Sequence, residues 1–207
     1  MMQNSMLGPY LYTANPAVIL QGVNACLNLD CPNARKLLNI SLENPSNIDD
    51  NEEYKVLTKD AAKHLSNSLN LPKSTSDRIL VYSSNSDLAE LLNSSKNIKK
   101  AVLDWKNGKI VDKNGNKKSK IVVAANDNSD LMRAINGCTL TGLKVHPDGS
   151  VTGYVYDVYN FDSKFTDMKK GKNLNFVNRV ACYLQRIGII HNYQILVPIK
   201  IQFNNKS

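Results

Sequence analysis

The chain has 207 residues, 42% of them hydrophobic and 21% charged, with a formal net charge of +8. That length supports one substantial core, or a compact domain preceded by a smaller helical module, and no apolar run approaches the roughly 18 residues that a membrane span needs. Residues 151–207 hold eight Lys and Arg against three Asp, a basic balance that suits RNA, DNA, anionic lipid or an acidic protein and equally a soluble Lys-rich surface.

The opening MMQNSM has no basic residue before Arg35, so it lacks the positive segment of a secretion signal and reads as a start placed on a fragment. Residues 16–29, PAVILQGVNACLNL, begin with Pro at a first helical turn and space their apolar residues for a short helix. ARKLLNISLEN follows after Pro32 as a second helical piece, and the polar, acidic NPSNIDDNEE reads as a linker. A helix over 58–69 stops before Pro72. RILVYSS (78–84) has the composition of a short buried strand, and 85–95 reads as a capped helix with acids in its first turn.

From residue 100 to 126 strand-like runs alternate with Asn-Gly pairs at 107–108 and 114–115, which predicts hairpins. A capped helix over 128–137 closes at Gly137. TLTGLKVH and SVTGYVYDVYNF, joined at Pro147-Asp148-Gly149, predict a long antiparallel hairpin. DSKFTDMKKGKN is a basic loop, and the next helix carries Leu174, Val177, Ala181, Leu184 and Ile187 on one face and ends at Gly188. In the last strand, YQILVPIKIQF, Pro198 predicts an edge or bulged position. The fold class is therefore α+β, an N-terminal helical module (1–75) followed by an antiparallel sheet with packed helices (76–207).

No Gly-rich phosphate loop, GxSxG elbow, HExxH or paired CxxC is present, so catalytic groups must meet in space rather than in a contiguous motif. Cys26 and Cys31, five apart, leave room for a local disulfide in an oxidising compartment, whereas Cys138 and Cys182 sit in apolar stretches as small buried residues. Their spacing from His64, His146 and His191 fits no zinc site, so neither metal nor cofactor is expected. Asp157 and Tyr159 alternate onto one strand face with Asp162 just beyond. There they serve either as a base beside a phosphate-positioning hydroxyl or as a hydrogen-bonded pair at a hairpin end. His191, in the loop GIIHNYQ, is a candidate acid or base with Lys164, Arg179 or Arg186 for a phosphate, or else a plain loop residue.

Two stretches bear a family likeness. NPAVILQGVNACLNLDCPNARKLL resembles the pretoxin region of contact-dependent growth inhibition proteins, and VTGYVYDVYNFD resembles the G-x-[IV]-x-D-x-Y-[DN]-F strand of polymorphic bacterial toxin domains. The resemblance implies a translocation-like module over 1–75 and an antibacterial toxic domain over 76–207, secreted and delivered into the target-cell cytoplasm. Taken with the residue readings above, the expected activity is that of a metal-independent ribonuclease, with Asp157, Tyr159 and His191 as catalytic residues and Lys164, Arg179, Arg186 and Asp162 on the substrate. An acidic immunity protein would neutralise it, and a Cys26–Cys31 disulfide would be tolerated during export. Asp157 and Tyr159 further match colicin M-type envelope toxins, although Asn160 and Thr166-Asp167 depart from that motif. The basic loop and the apolar 16–29 segment are also compatible with a membrane-acting toxin, and the chain as a whole with a non-catalytic binding module. Its oligomeric state stays open.

Overall fold

A computed structural model describes residues 31–43, 48, 51–72, 78–161 and 181–203. In chain order the elements are α1 (Pro32–Leu42), β1 (Tyr54–Val56), α2 (Lys59–Ser68), β2 (Ile79–Tyr82), α3 (Asp87–Ser94), α4 (Lys96–Lys106), β3 (Lys120–Ala125), α5 (Ser129–Ala134), β4 (Asn136–Val145), β5 (Val151–Tyr159) and β6 (Tyr193–Ile201). Residues 181–186 are also helical. The class is α+β, as the patterning predicts.

The strands form one sheet in the order β1-β2-β6-β5-β4-β3. Every neighbouring pair is antiparallel except β2 and β6, which run parallel with Leu80 opposite Ile195, so the sheet is mixed rather than purely antiparallel. The alternation of side chains splits β5 and β6 cleanly. Val151, Val155 and Tyr159, with Tyr193, Ile195, Val197, Ile199 and Ile201, enter the main core, where α1, α3, α4 and α5 also place buried apolar residues. On the opposite face Tyr156 and Leu196 meet Ala62 and Leu65 of α2 in a smaller cluster.

Local chemistry starts each helix. Thr58, Ser86 and Ser95 accept from the backbone N–H groups of Ala61, Ala89 and Ile98, and Asn128 accepts from Asp130 and Leu131, satisfying donors that a helix start leaves open. Helix α1 has Cys31 at its cap position and receives no side-chain cap from it. Its cap arrives from 97 residues away instead: buried Asp130 accepts from the Asn33 N–H (3.2 Å), the Ala34 N–H (3.1 Å) and the Asn33 amide (2.9 Å). This bond set ties α1 to α5. Residues on both sides of position 75 thus share one sheet and one core, since α1 and β1 precede it and the remaining strands follow.

Three local expectations change. Residues 96–106 form a helix because Ser95 caps it and Ile98, Val102 and Trp105 fall at helical spacing into the core, a pattern that overrides the strand propensity of Val102 and Trp105. The Asn-Gly at 107–108 ends that helix, with Gly108 at φ +73°, while Asn114-Gly115 makes only a small turn spanned by the Val111–Lys117 bridge. The left-handed residue after α5 is Asn136 (φ +54°), not Gly137. Pro198 lies on a strand flanked on both sides, yet β2 pairs with β6 only as far as Leu196. Beyond it that side of β6 is open, and the next outward donor, the Lys200 N–H, goes to Asn93 Oδ1 of α3 at 2.9 Å. Proline's missing donor costs nothing at such a locally unpaired edge. The expected 16–29 helix and Cys26 lie outside the described residues; Cys31 is a buried free thiol that accepts from Arg133 Nη1 at 2.9 Å.

Between Thr141 and Lys144 the β4–β5 register shifts, with Gly142 at φ +62°. Across from this bulge a Cβ at Gly153 would sit 2.6 Å from Leu143 Cδ2 and 3.1 Å from the Thr141 carbonyl oxygen. Gly153→Ala is therefore expected to destabilise the fold by about 1–3 kcal/mol in chemical denaturation. Gly137→Ala, where nothing lies within 4 Å of the added carbon, is expected to be neutral; equal losses at the two positions would contradict the packing described here.

Candidate functional site

Asp157 lies near the end of β5, on the face that carries Val155 and Tyr159 into the main core, and it pairs across the sheet with Ile195. The β4 register, Thr139 opposite Tyr156, brings Cys138 alongside it. The carboxyl is densely surrounded, although the residue as a whole keeps part of its surface in solvent. Burial pushes it well above the usual carboxylate range, opposed only by the Val158 backbone N–H. Among the described residues it forms no ion pair and no side-chain hydrogen bond. Its field reaches its neighbours. Burial first and the Asp157 charge second push the Cys138 thiol up to about 12, and the same two causes act on Tyr156, up to about 12, and raise Tyr159.

Other aspartates of the fold are provided for differently. Asp130 caps α1. Asp127 receives the Ser95 hydroxyl at 2.7 Å and the Lys96 N–H at 2.6 Å; burial pulls its pKa up, but these bonds hold it below the normal value. Asp148 is lowered by the hydroxyl and N–H of Ser150. Asp127 and Asp148 are thus stabilised in their charged form, whereas Asp157 is stabilised in its neutral form. A carboxylic acid of that kind is suited to act as a proton donor.

The sequence-predicted partners divide. Tyr159 shares the face of Asp157, but its buried hydroxyl donates to the Ala34 carbonyl (3.4 Å) and its ring meets Phe161 edge-on at 5.5 Å, so it also holds α1 to the sheet. His191 is half-buried, and its N–H donates to the Ser41 carbonyl at 2.6 Å. It is four residues before Ile195, the partner of Asp157, which is roughly 13 Å of strand rise. The two therefore lie at the same end of the sheet without sharing a rung. Arg186 is exposed on the helical stretch 181–186, which Gln185 ties to that end by accepting the Phe161 N–H at 2.9 Å. Lys164, Arg179 and Asp162 lie outside the described residues. Among the described residues no three His, Cys, Asp or Glu gather in a way that could hold a metal, and no helix is long and apolar enough to cross a membrane.

Sequence reasoning missed a second feature. On the face away from the main core, Lys144, Thr152, Tyr154, Pro198, Lys200 and Asn93 line an open cavity of about 340 Å³. The two lysines are 56 residues apart in the chain, and only the pairing register shows that they flank one threonine.

No protein-family description, curated protein or solved structure matches this chain.

The Asp157 shift has a defined sign. A carboxyl whose folded-state pKa is raised takes up its proton more readily in the native state, so it weakens folding progressively as pH rises from the unfolded-state value toward the folded-state value. Asp157→Asn is expected to raise the melting temperature at neutral pH and to match the wild type at about pH 3, where both states are protonated. A gap that stays constant from acid to neutral pH would contradict the assignment.

Proposed function

We propose that the chain contains the toxic domain of a protein delivered between bacteria, and that it acts as a metal-independent ribonuclease in the target-cell cytoplasm. The observation that carries the reading is the Asp157 carboxyl, raised by burial and without a described side-chain partner, on a residue that is only partly covered. In RNA cleavage the 2′-hydroxyl oxygen attacks phosphorus and gives up its proton to solvent water, while the P–O5′ bond breaks and the departing 5′-oxygen takes up a proton. Asp157 in its neutral form supplies it. His191 and Arg186 lie at the same sheet end, where they fit contact with the flanking phosphates rather than a shared hydrogen bond with Asp157.

The net charge of +8 favours encounter with RNA and also with an acidic immunity protein, which is the proposed neutralising partner. The pretoxin-like opening and the D-x-Y-N-F strand support the delivery part of the reading. Asp157 also illustrates a cost that functional groups commonly carry, since a residue kept for stability alone would be paired or apolar.

Controlled expression of the chain inside bacterial cells tests the proposal. The expected result is growth arrest with fragmented tRNA or rRNA, and an Asp157→Asn variant with cleavage reduced about 100-fold or more while folded protein accumulates normally. Arrested cells with intact RNA would exclude ribonuclease action, and full activity in the Asn variant would remove Asp157 from the chemistry.

A further inference from the structure

We infer that the cavity on the open face of the sheet is a binding site for the phosphate and base of a nucleotide, separate from Asp157. Its geometry follows from strand register. Lys144 pairs with Thr152 and Thr152 pairs with Lys200, so a hydroxyl stands between two ammonium groups in a single row across β4, β5 and β6. Neighbouring strands are spaced about 4.8 Å apart, which places the two lysine backbones roughly 10 Å from each other, within reach of one phosphate for such long side chains. The β-bulge at Gly142 puts Lys144 in that row.

The remaining donors converge on the same space. Asn93 Oδ1 is occupied by the Lys200 N–H at 2.9 Å, so the amide's two hydrogens are left for a ligand. The Thr152 hydroxyl is 2.7 Å from His146 Nε2, which fixes its rotamer. Both lysines are exposed, and neither forms an ion pair among the described residues. Among the described residues no carboxylate lines the cavity. Asp148 feels the charge of Lys200, but it is already bonded to the N–H and hydroxyl of Ser150.

The other side of the cavity is apolar and flat. Tyr154 and Pro198 pair with each other on the next rung of that face below the lysine row, and Tyr154, half-buried, lines the cavity while also packing against the edge of the cluster under α2. An aromatic ring beside a cationic row is the arrangement that stacks a nucleobase while its phosphate is held. A cavity of about 340 Å³ suits a ligand of one nucleotide unit, which can be free or the terminal residue of an RNA strand.

Calorimetric titration of the full chain with nucleoside monophosphates, inorganic phosphate, and a short RNA bearing either a 5′-phosphate or a 5′-hydroxyl tests the site. Saturable binding of the monophosphates is expected, tighter than that of inorganic phosphate. It should weaken by roughly tenfold or more in a Lys144→Met/Lys200→Met double variant whose melting temperature is unchanged. Equal affinity for free monophosphate and 5′-phosphorylated RNA identifies the free nucleotide as ligand, and tighter binding of the phosphorylated strand identifies an RNA end. Absence of saturable monophosphate binding, or wild-type affinity in the double variant, overturns the inference. Asp157→Asn is expected to bind as the wild type does, so failure here and failure of the ribonuclease reading are separately visible.

Discussion

The nine-pair antiparallel ladder between β5 and β6 is the constraint on which the molecule depends. Side chains on a strand alternate strictly, so fixing Tyr159 opposite Tyr193 and Val151 opposite Ile201 decides every intervening position on both faces at once. One face then receives Val155, Val197 and Ile199 as the floor of the main core, and Asp157 is carried in with them. The other face receives Thr152 and Lys200 side by side. A slip of one residue would exchange the two sets, burying a lysine and exposing the core. The apolar content of the main core thereby pins the geometry of both candidate sites.

Within that frame Asp157 is an anomaly of placement rather than of geometry. The fold supplies structural carboxylates with donors wherever they cap a turn or a helix, as Asp130, Asp127 and Asp148 show. At position 157 it supplies apolar neighbours, a thiol and a single backbone N–H. An uncompensated carboxyl in such a setting escapes the penalty of charge burial by keeping its proton. The physical consequence is a carboxyl that holds its proton more tightly than an ordinary aspartate, two residues from the end of a strand whose backbone is fixed by pairing on both sides.

Much of this is legible in the sequence, and the exceptions share a cause. Alternation in residues 138–161 and 193–203 is strong enough to show the long strands and to place Asp157 on the more apolar face. The caps at Thr58, Ser86 and Asn128 are likewise local signals. The 96–106 helix is hidden because Val and Trp favour strands, and only the spacing of Ile98, Val102 and Trp105 betrays the helical face. Pro198 announces that β6 has no ladder on its outward side there, but the means, a central strand whose neighbour stops early, is a property of β2. Contacts between distant segments are not legible at all. Nothing local announces that Asp130 caps α1 or that Lys144 and Lys200 flank Thr152.

The protonation of the Asp157 side chain is decisive, and carbon-detected NMR of the aspartate carboxyls, assigned with Asp157→Asn, measures it directly. The prediction is a carboxyl resonance that titrates with a midpoint well above the ordinary aspartate value of about 3.9, while those of Asp127 and Asp148 titrate below it. A midpoint for Asp157 at or under the ordinary value would show a charged, well-solvated carboxylate and contradict the role assigned to it.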